Sequence, residues 1–376
     1  MINLEILNLT IPTLLGTENI VANEVRKLGY ETSSVTDGRV NFKGDFEAIC
    51  LSNINLRCAE RIMINMSEFK AESFEELFAG VSRIPWENYI GKNDAFPVTG
   101  YSLKSQLHSV PDCQAIIKKS IVKRLSSVYG ISYFEETDAK IPVQFSIMKN
   151  TVTIYIDTTG DNLYKRGYRM QSVLAPMRET LAYAMIDMSF WRGDRPLCDP
   201  FCGSGTIPIE AALYATNTAP GLKRKFVSET WKNIIPKELW NDAREEATEN
   251  IEKNNETIIF ASDIDPKAIE ISKQNAKNAG VYDKIKFKVS DCSNITTFKE
   301  KGVIICNPPY GERLLDVKNC QKIYSMMGRK FSKFPEAKKL ILTSYQDFEK
   351  FYGKEADKKR KLYNGMLKCN VYQYFK

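Results

Sequence analysis

The sequence contains one histidine and no paired cysteine motif. His108 is the only histidine among 376 residues, which excludes a histidine zinc site and any catalysis that needs two imidazoles. The nine cysteines are scattered and include no Cys-x-x-Cys pair, so we expect reduced thiols rather than disulfides or a cysteine zinc site. The sequence therefore predicts a protein without a metal.

Long apolar runs are also missing. No uncharged apolar segment approaches the ~18 to 20 residues that span a bilayer. The start of the chain, from Met1 to Glu5, lacks the basic and apolar segments of a signal peptide. We expect a cytoplasmic protein with no membrane partner. Charged residues make up 26% of the chain, which is typical of globular proteins, and the length predicts two or three domains.

The net charge of +7 is unevenly distributed. Residues 1–160 contain 16 Lys and Arg against 19 Asp and Glu, a net charge of −3, whereas residues 161–376 contain 37 against 27, a net charge of +10. A modest positive charge is compatible with an acidic partner but does not by itself indicate nucleic acid. The cationic character belongs to the second half of the chain.

Short apolar strands alternate with amphipathic helices at the start of the chain. Strands are predicted over 4–9, 39–42 and 61–66, and helices over 17–28 and 46–56. The order of these five elements, βαβαβ, is close to a βαββαβ pattern and predicts a small α+β unit. A second unit is predicted to follow, with helices over 73–84 and 113–128, a strand at 97–101 and a hairpin of 143–148 with 152–157.

The helix predicted over 113–128 has several cations close together. Lys118, Lys119, Lys123 and Arg124 fall within seven positions, a density that can follow a phosphate backbone. Together with Lys104 they are the predicted RNA contacts. The alternative is a solvated helix face above a buried apolar face, and the residues alone leave both interpretations open.

After a polar segment at 159–170, the pattern changes to strands that alternate with longer helices, which predicts a parallel, doubly wound sheet. The first predicted strand ends at Asp199, and a turn containing Gly203 and Gly205 leads into a helix. Such a turn allows a ligand to approach the backbone. An acidic side chain would repel phosphate but suits a cationic group, such as the amino acid end of S-adenosylmethionine.

Acidic residues also follow the next two predicted strands. Asp263 and Asp265 end one strand, and Asp291 follows another. At these positions carboxylates can accept the ribose hydroxyls and the adenine amine of a nucleoside. Each of them can instead cap a helix, as Asp265 before Pro266 indicates. Three acidic strand ends in succession favour a nucleoside site.

A fourth predicted strand runs into Asn307-Pro308-Pro309-Tyr310. The prolines fix an extended loop without free N–H groups, so the Asn307 side chain and the Pro308 carbonyl can accept both hydrogens of an exocyclic amine. Tyr310 offers a stacking surface for a flipped base. The loop does not distinguish guanine from adenine. Cys306 raises the alternative of a cysteine nucleophile, but its apolar strand favours packing.

These motifs resemble those of class I S-adenosylmethionine-dependent amino-methyltransferases. The resemblance to one group within this class is carried by four further segments, Arg166-Gly-Tyr-Arg, Ala175-Pro-Met-Arg-Glu-Thr, Ala219-Pro-Gly-Leu and Arg360-Lys-Leu-Tyr-Asn-Gly. They are similar to THUMP-domain RNA methyltransferases that modify guanine N2, especially the large-subunit ribosomal RNA group. The resemblance covers nearly the whole chain and is stronger after Lys165.

The resemblance implies a ferredoxin-like domain over 1–65, a THUMP RNA-binding domain over 66–158, a linker over 159–170 and a Rossmann-like methyltransferase domain over 171–376. The sheet of the last domain would have seven strands, the last of them antiparallel. By motif position, cofactor contacts are implied for Ala175, Pro176, Thr180, Asp199, Phe201, Gly203, Gly205, Asp263, Ile264, Asp265, Asp291, Cys292 and Asn307, and target-base contacts for Asn307, Pro308, Pro309 and Tyr310.

The leading hypothesis is N2 methylation of a guanine in large-subunit (23S) ribosomal RNA, with S-adenosylmethionine as cofactor. The alternatives are tRNA guanine-N2 methylation, adenine-N6 methylation of DNA or RNA, and a non-catalytic RNA-binding ribosome-assembly factor. The best-known enterobacterial members of this group carry a second methyltransferase domain after the first. The resemblance covers one such domain in this sequence, so we expect only one modification from this chain. The target nucleotide and the oligomeric state do not follow from the sequence.

Overall fold

The computed structural model describes residues 6–169, 176–252, 256–295, 301–310, 317–365 and 367–375. Their strands form two seven-stranded sheets. No helix in these ranges is long and apolar enough to cross a membrane. All nine cysteines lie within the described ranges as buried free thiols.

The first sheet combines both units predicted for the N-terminal half. Its strand order is β2-β3-β1-β4-β7-β6-β5, and β4 pairs with β7 from Met63 opposite Asp157 to Lys70 opposite Thr151. The domain boundary predicted at residue 65 falls inside β4. The elements are β1 Leu7–Pro12, α1 Glu18–Lys27, β2 Thr32–Thr36, β3 Arg39–Gly44, α2 Phe46–Asn55, β4 Met63–Lys70, α3 Phe74–Ser82, β5 Val98–Leu103, α4 Val110–Tyr129, β6 Val143–Met148 and β7 Thr151–Asp157.

Local sequence signals set the ends of these helices. The Ser73 hydroxyl accepts a hydrogen bond from the Glu76 N–H at 3.2 Å, and the Asp45 carboxylate accepts one from the Ala48 N–H at 3.0 Å. Both side chains cap free N–H groups of the first helical turn. The helix α4 ends at Gly130, whose φ of 68° is in the left-handed region.

The second sheet has the Rossmann-like architecture that the resemblance implies. Its order is β10-β9-β8-β11-β12-β14-β13; β8 to β12 pair in parallel, and β14 runs antiparallel to β12 and β13. The elements are α5 Glu179–Met188, β8 Leu197–Asp199, α6 Thr206–Ala215, α7 Lys237–Glu249, β9 Ile259–Asp263, α8 Pro266–Ala279, β10 Ile285–Val289, β11 Val303–Cys306, α9 Val317–Phe331, β12 Lys338–Thr343, α10 Phe348–Tyr352, β13 Lys358–Asn364 and β14 Leu367–Tyr374.

The order of the strands reverses at β8, which lies between β9 and β11. In open α/β sheets, ligands bind outside the carboxyl ends of the strands at such a switch point. The predicted acids and the Asn307 loop lie at or just after the carboxyl ends of β8, β9, β10 and β11. The topology therefore brings them to one edge of the sheet.

Gly221 packs the C-terminal half of the chain against helix α2 of the N-terminal half. Its N–H donates to the Ile54 carbonyl at 2.8 Å, and a Cβ at this position would lie 2.5 Å from the Asn53 carbonyl oxygen. We expect Gly221→Ala to lower the free energy of unfolding by ~1 to 3 kcal/mol, because the backbones must separate. Urea denaturation measures this loss. The exposed neighbour substitution Lys223→Ala is the control, and equal losses in the two variants would contradict the close packing.

Candidate active site

A cavity of about 910 Å³ opens at the carboxyl ends of β8, β9 and β11. The structure brings together most of the residues predicted for the cofactor and the target base. Those that line the cavity are Pro176, Asp199, Phe201, Gly203, Asp263, Ile264, Asp265, Asp291, Cys292, Asn307, Pro308, Pro309 and Tyr310.

Asp263 ties the glycine-containing turn to the end of β9. One of its carboxylate oxygens accepts from the Gly203 N–H at 2.9 Å, and the other accepts from the Asp265 N–H at 3.0 Å. Carboxylate oxygens have further acceptor capacity, so Asp263 can still receive hydroxyl groups of a ligand. Asp265 has the capping role considered above, since its carboxylate accepts from the Lys267 N–H at 2.9 Å.

Asp199 is a buried carboxyl group without a cationic neighbour among its described contacts. Its side chain accepts from the Phe201 N–H at 3.0 Å. Burial, together with the charge of nearby Asp263, holds the pKa of Asp199 well above its usual range. A cationic ligand group at this position would favour the ionised carboxylate.

We expect cofactor binding to be coupled to the ionisation of Asp199. In the free protein the raised pKa keeps Asp199 protonated to higher pH, and a bound ammonium group lowers that pKa, so binding releases a proton and affinity rises with pH. Calorimetry in buffers of different ionisation enthalpy measures the proton release. The variant Asp199→Asn has no ionisable group at this position, so it should release fewer protons when the cofactor binds. An unchanged number of released protons would assign the effect to another group.

Asn307 follows β11 and carries an unsatisfied acceptor. Its Oδ1 is buried and has no hydrogen-bond partner among the described residues. An unpaired buried polar group costs about 1 to 3 kcal/mol, and a ligand that donates a hydrogen removes this cost. The rest of the loop is held in place, because the Tyr324 hydroxyl donates to the Pro309 carbonyl at 2.8 Å and the Asn364 amide donates to the Tyr310 hydroxyl at 3.4 Å.

Cys306 packs inside the sheet, as its apolar strand predicts. The side chain is completely buried, and burial raises the pKa of the thiol well above its usual range. A thiol held protonated is a poor nucleophile. The structure therefore disfavours the cysteine nucleophile considered above.

Arg169 is a residue at this site to which the sequence reasoning assigned no role. Its guanidinium donates to the Met177 carbonyl at 3.0 Å, to the Thr206 hydroxyl at 2.8 Å and to the Glu179 carboxylate at 3.0 Å. Met177 and Thr206 both line the cavity, so the hydrogen bonds of Arg169 hold two parts of the cavity lining in position. Met177 and Arg178, which also line the cavity, belong to the segment 175–180 that the resemblance places over the cofactor. Further lining residues missed by the sequence reasoning are Pro200, Cys202, Ser204, Thr206, Ile207, Ala268, Ile323, Asn364, Gly365 and Leu367.

Three predicted cofactor residues are not among those lining the cavity. Ala175 lies outside the described residues. The Thr180 hydroxyl donates to the Glu60 carboxylate at 2.8 Å and thus contacts the N-terminal half. Gly205 has a φ of 86°, and a Cβ there would lie 2.2 Å from the Ser272 hydroxyl. Gly205 therefore serves the turn between β8 and α6 rather than a surface of the cavity.

The structure divides the predicted RNA contacts. Lys118 pairs with Glu136 and donates to the Phe96 carbonyl at 3.0 Å. Arg124 pairs with Glu87, so both cations hold α4 against its own domain rather than presenting free charges. The pairing makes Lys118 and Arg124 less suited to contact phosphates than the sequence indicates. Lys104, Lys119 and Lys123 are exposed, and their contact with RNA stays a prediction.

Three family descriptions match successive parts of the chain. The RlmL ferredoxin-like domain matches residues 8–63, the THUMP domain matches residues 71–157, and UPF0020, the RMKL-like methyltransferase domain, matches residues 166–373. The last match alone covers more than half of the 376 residues. The ferredoxin-like and THUMP matches precede the methyltransferase match, which is the order implied by the resemblance.

The relatives include enzymes acting on RNA. YpsC of Bacillus subtilis (strain 168), named as a candidate RNA methyltransferase, is 48% identical over 363 residues, which cover 96% of this chain and 94% of YpsC. The ribosomal RNA large subunit methyltransferase K/L of Psychromonas ingrahamii is 33% identical over 375 residues. That alignment covers 97% of this chain but 49% of the relative, so the chain spans about half the length of the K/L enzyme.

A solved structure offers a further comparison over nearly the whole chain. SMU.472, a candidate methyltransferase complexed with SAH, superposes with a TM-score of 0.94 at 42% identity, covering 99% of this chain and 98% of that chain. SAH is what remains of S-adenosylmethionine after its methyl group is transferred. The comparison thus agrees with the acids that line the cavity, which suit a nucleoside with a cationic amino acid end.

Proposed function

Because this chain belongs to the RMKL-like family of S-adenosylmethionine-dependent methyltransferases, we propose that it methylates the exocyclic N2 amine of a guanine in large-subunit (23S) ribosomal RNA. The observation that carries the proposal is the buried Oδ1 of Asn307, which has no partner in the part of the chain that the structure describes, in the same cavity as Asp199, Asp263 and Asp291. The acids suit the cofactor, and the amide oxygen suits an amine. The cavity thus offers places for both reactants.

The chain's own residues act by positioning. The cofactor supplies an activated sulfonium methyl group, so no covalent enzyme intermediate is needed. The Asn307 amide oxygen and the Pro308 carbonyl accept the two hydrogens of the target amine, which aims the nitrogen lone pair at the methyl group. Tyr310, held by Asn364, stacks on the extruded base. Proximity and alignment then supply most of the rate enhancement.

The choice of RNA rests on the N-terminal half and on the relatives. The THUMP match covers residues 71–157, and the K/L relatives are named for large-subunit ribosomal RNA. Guanine and adenine both present an exocyclic amine, so the Asn307 loop accepts either. Guanine N2 is proposed because the whole-chain resemblance is to guanine-modifying enzymes.

Incubation with labelled S-adenosylmethionine and ribosomal RNA from a strain lacking this protein tests the proposal. Digestion to nucleosides and mass spectrometry should find the new methyl group on guanine N2 in 23S RNA. Label on adenosine would replace the proposal with adenine-N6 methylation, and label only in tRNA would replace it with the tRNA alternative. Cofactor binding without transfer to any nucleic acid would indicate a non-catalytic factor.

A further inference from the structure

The hairpin of β13 and β14 has two different faces. Lys361 pairs with Asn370, and Tyr363 pairs with Lys368. Directly opposed residues of antiparallel strands lie on the same face, and side chains alternate along each strand. Lys361, Tyr363, Lys368 and Asn370 therefore share one face, which we call the hairpin face.

The neighbouring parts of the hairpin are covered by protein. On the opposite face Leu362 and Cys369 are buried in the core. Farther from the turn, the Tyr372 ring lies 4.7 Å from the Phe348 ring of α10, measured between centroids. This cover stops before the turn, because Lys361 and Lys368 are exposed and Tyr363 is half-buried.

The hairpin face adjoins the target-base side of the cavity. Asn364 and Leu367, at the two sides of the turn, line the cavity, and the Asn364 amide donates to the Tyr310 hydroxyl. An RNA strand that places a base against Tyr310 must therefore pass close to this turn.

The two ends of the cavity differ in the charge of the residues around them. Asp199, Asp263, Asp265 and Asp291 line the cofactor end and would repel a phosphate backbone. Lys359 is already paired with Glu349. Across the described ranges, neither Lys361 nor Lys368 takes part in an ion pair. These two lysines are thus available to an anionic partner on the side of the cavity away from the acids.

We propose that the hairpin face binds the RNA strand next to the target nucleotide. Lys361 and Lys368 contact backbone phosphates, and Tyr363 between them stacks on a neighbouring base, the combination of cations and an aromatic ring that single-stranded nucleic acid favours. The inference rests on the proposed RNA substrate and names the surface that holds it. It also assigns part of the excess positive charge of the catalytic half to this surface.

The double variant Lys361→Ala/Lys368→Ala tests the phosphate contacts. Its affinity for undermodified 23S ribosomal RNA, measured at several salt concentrations, should fall about tenfold or more, and the slope of log affinity against log salt should decrease by about 0.7 to 0.9 for each lost contact. The affinity for S-adenosylmethionine should not change. The matched control is Lys286→Ala/Lys288→Ala, which removes two exposed lysines flanking Phe287 on β10, the opposite edge strand.

Tyr363 is tested by a pair of substitutions. Tyr363→Phe should retain RNA affinity, whereas Tyr363→Ala should lose about 5- to 150-fold, because base stacking contributes about this much. Equal losses in the hairpin and β10 lysine variants, or an unchanged salt slope, would overturn the proposal. These experiments measure RNA binding by the variants. The proposed function would fail in a different experiment, in which the wild-type protein places no methyl group on guanine.

Discussion

Asn307→Ala is expected to lower kcat by about 100- to 1,000-fold and to leave the affinity for S-adenosylmethionine nearly unchanged. Removing one preorganised hydrogen-bonding group from a reacting centre has effects of about this size, and a small misplacement of the amine has a similar cost. Single-turnover kinetics with saturating RNA measures the methyl-transfer step, and calorimetry measures cofactor affinity.

Asn307→Asp separates the loss of an acceptor from the loss of a side chain. Aspartate has the same shape and offers two acceptor oxygens, so this variant should retain more activity than Asn307→Ala. The Asn307 oxygen is buried and has no partner within the described ranges, so Asn307→Ala should leave the folded protein at least as stable as the wild type, since an unsatisfied group is removed. Loss of cofactor affinity in the alanine variant, with normal methyl transfer at saturation, would refute the role assigned to Asn307.

The catalytic sheet was predictable because its strands are buried. Val303–Cys306 and Leu197–Asp199 are buried throughout. Their apolar residues indicate buried strands, and the polar residues Asn307, which follows the first, and Asp199, which ends the second, mark the carboxyl ends. Parallel strands place those ends at one edge of the sheet. The positions of Asp199 and Asn307 at one cavity followed from this rule without knowledge of any long-range contact.

The N-terminal half was less predictable because its organisation depends on distant pairing. The strand Thr32–Thr36 is mostly exposed and shows no apolar alternation, so it was missed. The antiparallel pairing of β4 with β7 joins Met63 to Asp157, and neither strand contains a signal for its partner. Two units predicted from local patterns therefore share one sheet.

Charged side chains show the same limitation. The partners of Lys118 and Arg124 are Glu136 and Glu87, which lie far from them along the chain. A cluster of cations in a helix therefore looks the same whether its charges are paired or free. Arg169 was overlooked for the corresponding reason, since the carbonyl and hydroxyl groups that it bridges come together only in the folded protein.

Asp263, the last residue of β9, and Asp265, two positions later, are expected to have different roles. Asp263→Ala should weaken S-adenosylmethionine binding by about 150-fold or more, because hydrogen bonds to a charged group contribute about 1.5 to 3 kcal/mol each and the Asp263 carboxylate would accept two from the ribose hydroxyls. It would also release the Gly203 and Asp265 N–H groups that the carboxylate now holds. Calorimetry with the cofactor measures the loss.

Asp265→Ala is the matched variant, two positions farther along the chain. Asp265 caps α8 through the Lys267 N–H, so its loss should lower the free energy of unfolding by about 0.5 to 2 kcal/mol. We expect a much smaller change in cofactor affinity than for Asp263→Ala, because the cap is satisfied within the helix. If Asp265→Ala instead abolishes cofactor binding while Asp263→Ala affects only stability, Asp265 receives the ribose and Asp263 is the structural tie between β8 and β9.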